Sequence, residues 1–485
     1  MSTRREFFRA TLLVGASVAT ANACRGLSAR PRGSRFGDLQ KFRSAVTGRV
    51  ILPGDPEYDE ARRGVWSNPL TDKHPAIVVR CESGDDVARC VEFAREQSLP
   101  LAVRSGGHSF LGWSIGDGLV VDLSRLKSIK LAGAQRRLRV GAGVTAAEML
   151  AVTAKQGLAP VLGECGTVGA GLALGGGLGW LSGRYGAACD NLLSARLITA
   201  GGDSVTADDV SNPDLYWAIR GGGGNFGIAT LLEFRLHAVR EMVTGGFVYP
   251  AANASAVLRS FRDFMAGAPD ELQGAAYLES VRGGTLTVLF VHSGALATGE
   301  RLMGKFRSHG RPERDWVQRR SYADIHTMPP FSDDGPSCKA HAVRGSYLES
   351  LSDEAIATVT ERFAKAPPAC AYGFAFDHYM HGEVSRIAPD ATAFELRTAR
   401  AVPLAFGADW NEVEQANACI AWLDETWRQL QAYSGGRMYT NYISVEGDAS
   451  ARAAYGRNYS RLVSLKRKYD PQNVFRGNLN IRPWG

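Results

Sequence analysis

The sequence predicts a mixed α+β chain folded as at least two lobes. Three observations carry this. The chain has 485 residues, more than one hydrophobic core normally organises. Its first half interleaves strand-like and helix-like segments, the order of an α/β unit. From about Val243 onward, alternating segments mix with amphipathic helices, the order of a second, α+β lobe. Hydrophobic content of 45% and charged content of 22% suit a globular protein.

Residues 1–23 read as a targeting segment, outside the fold. Arg4-Arg5-Glu6-Phe7-Phe8 resembles a twin-arginine export signal. A short apolar stretch from Thr11 to Ala21 follows, and Ala21-Asn22-Ala23 is a cleavage candidate. Cys24 comes next, which leaves a lipid anchor as a rival outcome. The expectation is a secreted, periplasmic or cell-envelope protein handed to the twin-arginine export machinery, a route that carries proteins already folded. Residues 24–48 form a basic link. The first 43 residues hold nine basic residues against Glu6 and Asp38, the whole of the +7 net charge. The remainder is formally neutral, which argues against a nucleic-acid partner.

Val50–Leu52, Ala76–Arg80, Leu101–Val103, Val120–Leu123, Arg137–Val140 and Leu192–Thr199 read as strands. A helix follows Ser83, a good N-cap, with Val87, Val91 and Ala94 on one face. Another runs from Thr145 to Gln156 and stops at Gly157. In the second lobe, strands are expected at Gly245–Tyr249, Gly274–Leu278, Thr285–His292 and Tyr372–Tyr379. Helices are expected at Ala254–Met265, Gly299–Ser308, Glu412–Gln431 and Tyr455–Lys468.

The chemistry concentrates in glycine-rich stretches. Pro160 to Asp190 carries Cys165 at the head of a glycine run that also holds Leu172, Leu174, Leu178, Trp180 and Leu181. Those apolar residues call for burial, so the run reads as backbone pressed against a ligand rather than as a linker. Arg104-Ser105-Gly106-Gly107-His108-Ser109 ends a strand and suits a phosphate cradle. Gly222 to Gly227 matches G-x-G-x-x-G, yet it follows a helical segment and enters a strand, the reverse of a Rossmann turn. Eight cysteines show no zinc spacing, so no metal site is expected. Most read as buried thiols, with no disulfide required by the size of the chain.

Taken in order, these motifs resemble the berberine bridge enzyme-like flavoproteins of the vanillyl-alcohol oxidase/p-cresol methylhydroxylase superfamily. The resemblance rests on Arg104-Ser-Gly-Gly-His108-Ser, Cys165-Gly-Thr-Val-Gly, Gly175-Gly-Gly-Leu-Gly, Cys189-Asp-Asn-Leu, Gly221-Gly-Gly-Gly-Asn-Phe-Gly, Tyr439-Thr-Asn-Tyr, Tyr469-Asp-Pro-Gln-Asn-Val-Phe and Asn478-Leu-Asn-Ile. It implies a two-subdomain FAD-binding domain at 49–240, an antiparallel-sheet substrate domain at 241–437 and a segment at 438–485 that returns to the first domain. It implies FAD attached through two bonds, from His108 to the flavin 8α-methyl and from Cys165 to C6. Ser105, Gly106, Gly107, Ser109, Thr167, Gly169, Gly175, Gly176, Gly177, Gly179, Gly227, Ile228, Asn478 and Asn480 join Arg104 as cofactor-contacting positions. Val168 matches the residue that gates oxygen, which implies O2 as acceptor. Tyr439 matches the catalytic tyrosine region, with Asn441 beside it. Tyr372, Asp377, His378 and Tyr379 lie on the strand that faces the substrate, Tyr379 being a further catalytic candidate. His381-Gly382-Glu383 stands where relatives often carry Gly-Gly-Ala, implying an altered pocket.

The implied activity is oxidation of a hydroxyl-bearing carbon of a sugar or glycosylated natural product, with hydrogen peroxide as by-product. A dehydrogenase with another acceptor, an oxidative cyclase or desaturase, and a flavin-carrying binding protein without turnover are the alternatives. Steady peroxide release separates the first from an oxidase, and flavin bleaching by a substrate excludes the last.

Overall fold

The computed structural model describes residues 38–169, 171–280, 283–326, 340–443 and 447–484. The targeting segment, most of the basic link, Cys24 and Cys338 lie outside the described residues. Among the described residues, no helix is long and apolar enough to cross a membrane.

The first lobe holds two sheets. β1 (Arg49–Ile51), β2 (Ile77–Arg80), β3 (Leu101–Arg104) and β4 (Leu119–Asp122) form one, in the order β1-β2-β4-β3. β4 runs parallel to both β2 and β3, whereas β1 is antiparallel to β2. The β2–β3 crossover is α1 (Gly84–Glu96), where the Ser83 side chain accepts from the Asp86 N–H. Val87, Val91 and Ala94 are buried as their spacing requires.

β5 (Ile129–Ala132), β6 (Arg137–Gly141), β8 (Leu192–Ile198), β9 (Ser204–Ala207) and β10 (Ile228–Arg235) form an antiparallel sheet ordered β5-β6-β10-β8-β9. β7 (Leu158–Ala159) pairs with β11 (His237–Ala238) at its margin. α2 (Ala146–Thr153) continues as a single 3-10 turn and ends at Gly157, whose φ of 64° is left-handed. The segment before Gly221 is α3 (Pro213–Ile219), and Gly227 runs directly into β10. The helix-to-strand order therefore excludes a Rossmann turn here.

The second lobe is one antiparallel sheet of seven strands, ordered β15-β12-β14-β13-β17-β18-β16. They are β12 (Glu241–Pro250), β13 (Leu272–Glu279), β14 (Thr285–His292), β15 (Arg314–Ser321), β16 (Ala340–Leu348), β17 (Ala371–Phe376) and β18 (Val402–Trp410). α4 (Ala254–Ala266), α5 (Leu296–Arg307), α6 (Asp353–Ala364) and α7 (Val413–Leu430) enclose a core with it. Phe261, Phe306, Ile356 and Leu423 meet Leu278, Phe290, Phe374 and Leu404 there. The period of two sends the intervening residues to the opposite face. Tyr277, Ala375 and Ala405 are register partners across β13, β17 and β18, and all three line a cavity between this sheet and the first lobe.

Four expectations need correction. β17 stops at Phe376, so Asp377, His378 and Tyr379 leave the sheet, His378 with a left-handed φ of 55°. A separate helix, α8 (Asp448–Tyr455), precedes the expected Tyr455–Lys468 helix, which starts only at Tyr459, as α9 (Tyr459–Tyr469), after a 3-10 turn in which Gly456 takes φ 46°. Cys370 and Cys419 form a disulfide joining the start of β17 to α7. β15, β16 and β18 were not anticipated. β15 is a charged edge strand, and Pro403, Gly407 and Asp409 interrupt the apolar alternation of β18.

Candidate active site

The cavity between the lobes has a volume of about 560 Å3, within the usual range for ligand sites. Its floor is the pair of loops anticipated from the glycines. A Cβ added at Gly106 would come within 2.5 Å of the Gly169 nitrogen and 2.7 Å of the Thr167 carbonyl oxygen. Only glycine lets the two loops meet backbone to backbone. Ser105 Oγ donates to the Ala142 carbonyl at 2.6 Å. His108 Nε2 lies 2.7 Å from Thr167 Oγ1, two residues from Cys165. His108 and Cys165 line the same cavity, with Ser105, Gly106, Gly107, Ser109, Val168, Gly169, Gly175, Gly227, Ile228 and Asn478.

The cavity suits FAD on three counts. Gly171 and Gly223 line it, and a Cβ at either would meet nothing within 4 Å, so bare backbone faces open space. Asn478 presents a buried Oδ1 that has no partner among the described residues. A histidine and a thiol sit on adjoining loops, the nucleophiles that attachment requires.

Other candidates lie elsewhere. Arg104 is not a phosphate ligand: its guanidinium donates to Asp122 at 2.5 Å and to the carbonyls of Ala61 and Arg63. The cause is register, since Arg104 and Asp122 are partners on β3 and β4. Gly176, Gly177 and Gly179 pack against Phe394, Ala188 and Leu162 rather than the cavity. Thr167 and Asn480 are not among the lining residues; Thr167 is exposed and is the partner of His108. Tyr379 turns into the core of the second lobe, its ring 6.1 Å from that of Phe261, and does not line the cavity.

The Tyr439-Thr-Asn-Tyr motif is stitched onto the glycine run. Tyr439 Oη accepts from the Leu178 N–H at 3.0 Å and from Asn441 Nδ2 at 3.1 Å. Thr440 Oγ1 donates to the Gly175 carbonyl, and Asn441 Nδ2 also reaches the Leu172 carbonyl at 3.2 Å. Burial pushes the Tyr439 hydroxyl well above its ordinary pKa, offset in part by these donors. Tyr439, Thr440, Asn441 and Tyr442 all line the cavity. Tyr442 differs in its partner: its hydroxyl donates to Asp377 Oδ2 at 2.6 Å. Burial and the Asp377 and Glu164 carboxylates push its pKa well up, so the phenol is protonated at rest. Tyr277 is hydrogen bonded to Glu164 Oε2 at 3.2 Å. His378 Nε2 lies 3.4 Å from Glu164 Oε1, and burial pushes that imidazole down to about 3, keeping it neutral.

Three groups escaped the sequence reading of roles. Tyr442 sat inside the quoted motif, but the role went to Tyr439. Glu164 adjoins Cys165 without any motif of its own. Asn225 lies in the second glycine run and is a hub: it donates to the Gly222 and Leu479 carbonyls and accepts from the Ile481 N–H. The buried Lys466 ammonium donates to the Asn225 and Phe475 carbonyls and to Asp470. This network seats the C-terminal segment on the first lobe and places Asn478 at the cavity.

The sequence matches agree with the geometry. The family model described as FAD binding domain matches residues 75–208, and that described as berberine and berberine like matches 438–482. An (R)-6-hydroxynicotine oxidase of Paenarthrobacter nicotinovorans is 32% identical, over 91% of this chain and 98% of the relative. The crystal structure of 6-hydroxy-D-nicotine oxidase from Arthrobacter nicotinovorans superposes with a TM-score of 0.82 at 29% identity, covering 90% of this chain and 98% of the other. Wild-type BBE-like 1 of Physcomitrella patens gives 0.80 at 26% identity, covering 90% and 97%. A glucooligosaccharide oxidase of Acremonium strictum, at 19% identity and a TM-score of 0.78, shares the fold. With FAD-compatible loops in the first lobe, an antiparallel sheet roofing the cavity and a relative matched almost end to end, the chain belongs to the berberine bridge enzyme-like FAD-linked oxidoreductases.

Proposed function

We propose that this enzyme oxidises a hydroxyl-bearing carbon of a sugar or glycosylated natural product to a carbonyl, with O2 reduced to hydrogen peroxide. The observation that carries the reading is the Tyr442–Asp377 pair, a phenol hydrogen bonded to a carboxylate at 2.6 Å on the wall of the cavity. Bound FAD supplies the two-electron acceptor for hydride. Tyr442 takes the substrate hydroxyl proton while its own proton passes to Asp377 Oδ2, so no free phenolate is needed. This moves the base from Tyr439, whose oxygen already accepts two hydrogen bonds. Asn441 positions Tyr439 and the glycine run. His108 and Cys165 both hold the flavin covalently in this reading, the linkage type named for the glucooligosaccharide oxidase.

The test combines substrate and cofactor. Anaerobic bleaching of the flavin by a panel of mono- and oligosaccharides, followed by peroxide release in air, is the expected result. Bleaching only by nicotine-like amines would replace the sugar reading with that of the hydroxynicotine oxidase relative. Intact mass after acid denaturation should show FAD on the chain, retained in each of His108→Ala and Cys165→Ala. Export through the twin-arginine route belongs to the same proposal, and the Cys370–Cys419 disulfide fits an oxidising compartment. An Arg4→Lys/Arg5→Lys variant should stay in the cytoplasm.

A further inference from the structure

We propose that the outward face of the five-stranded sheet in the first lobe docks the protein electrostatically on the surface of an anionic phospholipid bilayer.

Period and register build this face. Along β6, Leu138 and Val140 are fully buried in the core, so Arg137 and Arg139 point outward. Pairing fixes their neighbours. Lys130 on β5 stands beside Arg139, with Glu233 of β10 on its other side. Arg235 on β10 is the partner of Arg137, and Arg196 on β8 is the partner of Leu231, two residues before Glu233. All five cations are exposed. Strands lie about 4.8 Å apart and alternate residues about 7 Å apart, so the charges cover a flat field of roughly 14 Å by 14 Å.

Glu233 is the one carboxylate on this face among the described residues, and it already bridges Arg137 at 3.2 Å and Arg139 at 2.9 Å. Lys130, Arg196 and Arg235 make no ion pair among the described residues. Asp208 and Asp209 follow β9 at its end, and Asp208 accepts from the N–H groups of Val210 and Ser211. The positive field reaches a neighbouring group. His237, two residues past Arg235, is pushed down to about 4 by burial and by the Arg235, Arg136 and Arg184 guanidiniums.

The arrangement selects the occupant. Charge spread in two dimensions over four strands matches an anionic plane, whereas a single polyanion strand would meet one row of it. The N-terminal region of the chain itself is disfavoured by like charge, since its first 43 residues hold nine basic residues against two acidic ones. On an anionic bilayer that region adds to the attraction instead. The opposite face of the sheet is committed: Leu138, Leu232 and Phe234 share one core with Val87 and Val91 of α1. The cavity uses the other end of β10, at Ile228 and Ala229, about 20 Å along the strand from Arg235.

Co-sedimentation of the purified holoenzyme with vesicles tests this. Binding is expected at low salt to vesicles of equal parts phosphatidylcholine and phosphatidylglycerol, and not to phosphatidylcholine alone. It should disappear in ~1 M salt, where the screening length falls to about 3 Å. Lys130→Glu/Arg196→Glu/Arg235→Glu reverses the three unbridged cations. Each lost charge lowers partitioning about fivefold, so binding should fall at least ~100-fold. Glu233→Gln removes the carboxylate and should raise binding about fivefold with the flavin spectrum unchanged. Should the triple variant fail to hold its flavin, Lys130→Gln/Arg196→Gln/Arg235→Gln takes its place. No binding of the wild type to the anionic vesicles, or equal binding to phosphatidylcholine alone, overturns the proposal. Unchanged binding in the triple variant also overturns it, and assigns the attraction to the basic N-terminal region. A wild type that binds heparin but not the vesicles makes the partner a soluble polyanion and overturns it equally.

Discussion

Replacing Tyr442 with Phe separates the two tyrosines of the motif. The change deletes one oxygen and keeps the ring that meets Tyr439 at a centroid distance of 5.0 Å. It removes the proton shared with Asp377 Oδ2 at 2.6 Å. A positioned general base contributes roughly 100- to 10,000-fold, equivalent to about 3–5 kcal/mol of barrier. The flavin reduction rate should therefore fall by at least ~100-fold. Tyr439→Phe deletes an acceptor instead, leaving the buried Leu178 N–H and one proton of Asn441 Nδ2 without their partner. Two such losses cost about 2 kcal/mol of stability together, with a rate effect near tenfold through disorder of the glycine run. Anaerobic stopped-flow bleaching with a reducing substrate gives the rates, and urea unfolding gives the stabilities. If Tyr439→Phe stops reduction while Tyr442→Phe stays within tenfold of wild type, the base is Tyr439 and the relay to Asp377 is wrong.

Three further outcomes follow from the packing. Cys370→Ser/Cys419→Ser opens a crosslink spanning 49 residues, and chain entropy puts its contribution at up to about 4 kcal/mol, readable as a lowered urea midpoint with catalysis retained. Gly106→Ala should separate the two attachment loops, because its Cβ would sit against the Gly169 nitrogen; protein-bound yellow colour after acid denaturation should drop, and full retention would contradict the packing. His378 is held neutral down to about 3 against an ordinary 6.5, so the unfolded chain binds a proton first and stability is lost as pH falls from 6.5 toward 3. His378→Asn should flatten that acid slope in unfolding midpoints and leave the values above pH 6.5 without a slope of this origin.

The family, the first lobe and the two glycine loops that line the cavity were legible in the sequence. Those features are local. Ser83 caps its helix within one turn, Gly157 stops another, and the glycines of Cys165–Gly169 and Arg104–Ser109 must lie bare wherever the chain goes. The helix before Gly221 and the strand after Gly227 excluded the Rossmann turn for the same local reason. The tertiary structure decided what depends on pairing between distant segments. Arg104 faced Asp122 because strands β3 and β4 are in register, which no short motif reveals. Tyr379 and Asp377 were two residues apart on one expected strand, yet the left-handed His378 turned one into the core and left the other on the cavity. Tyr439 and Tyr442 share a motif, and only the Leu178 N–H on one side and Asp377 on the other tell acceptor from donor. Glu164 acquired its partners from β13 and from the turn after β17, more than a hundred residues away. Electrostatics and hydrogen bonding act over a few ångströms of space, so a role set by them becomes readable only once the chain has closed.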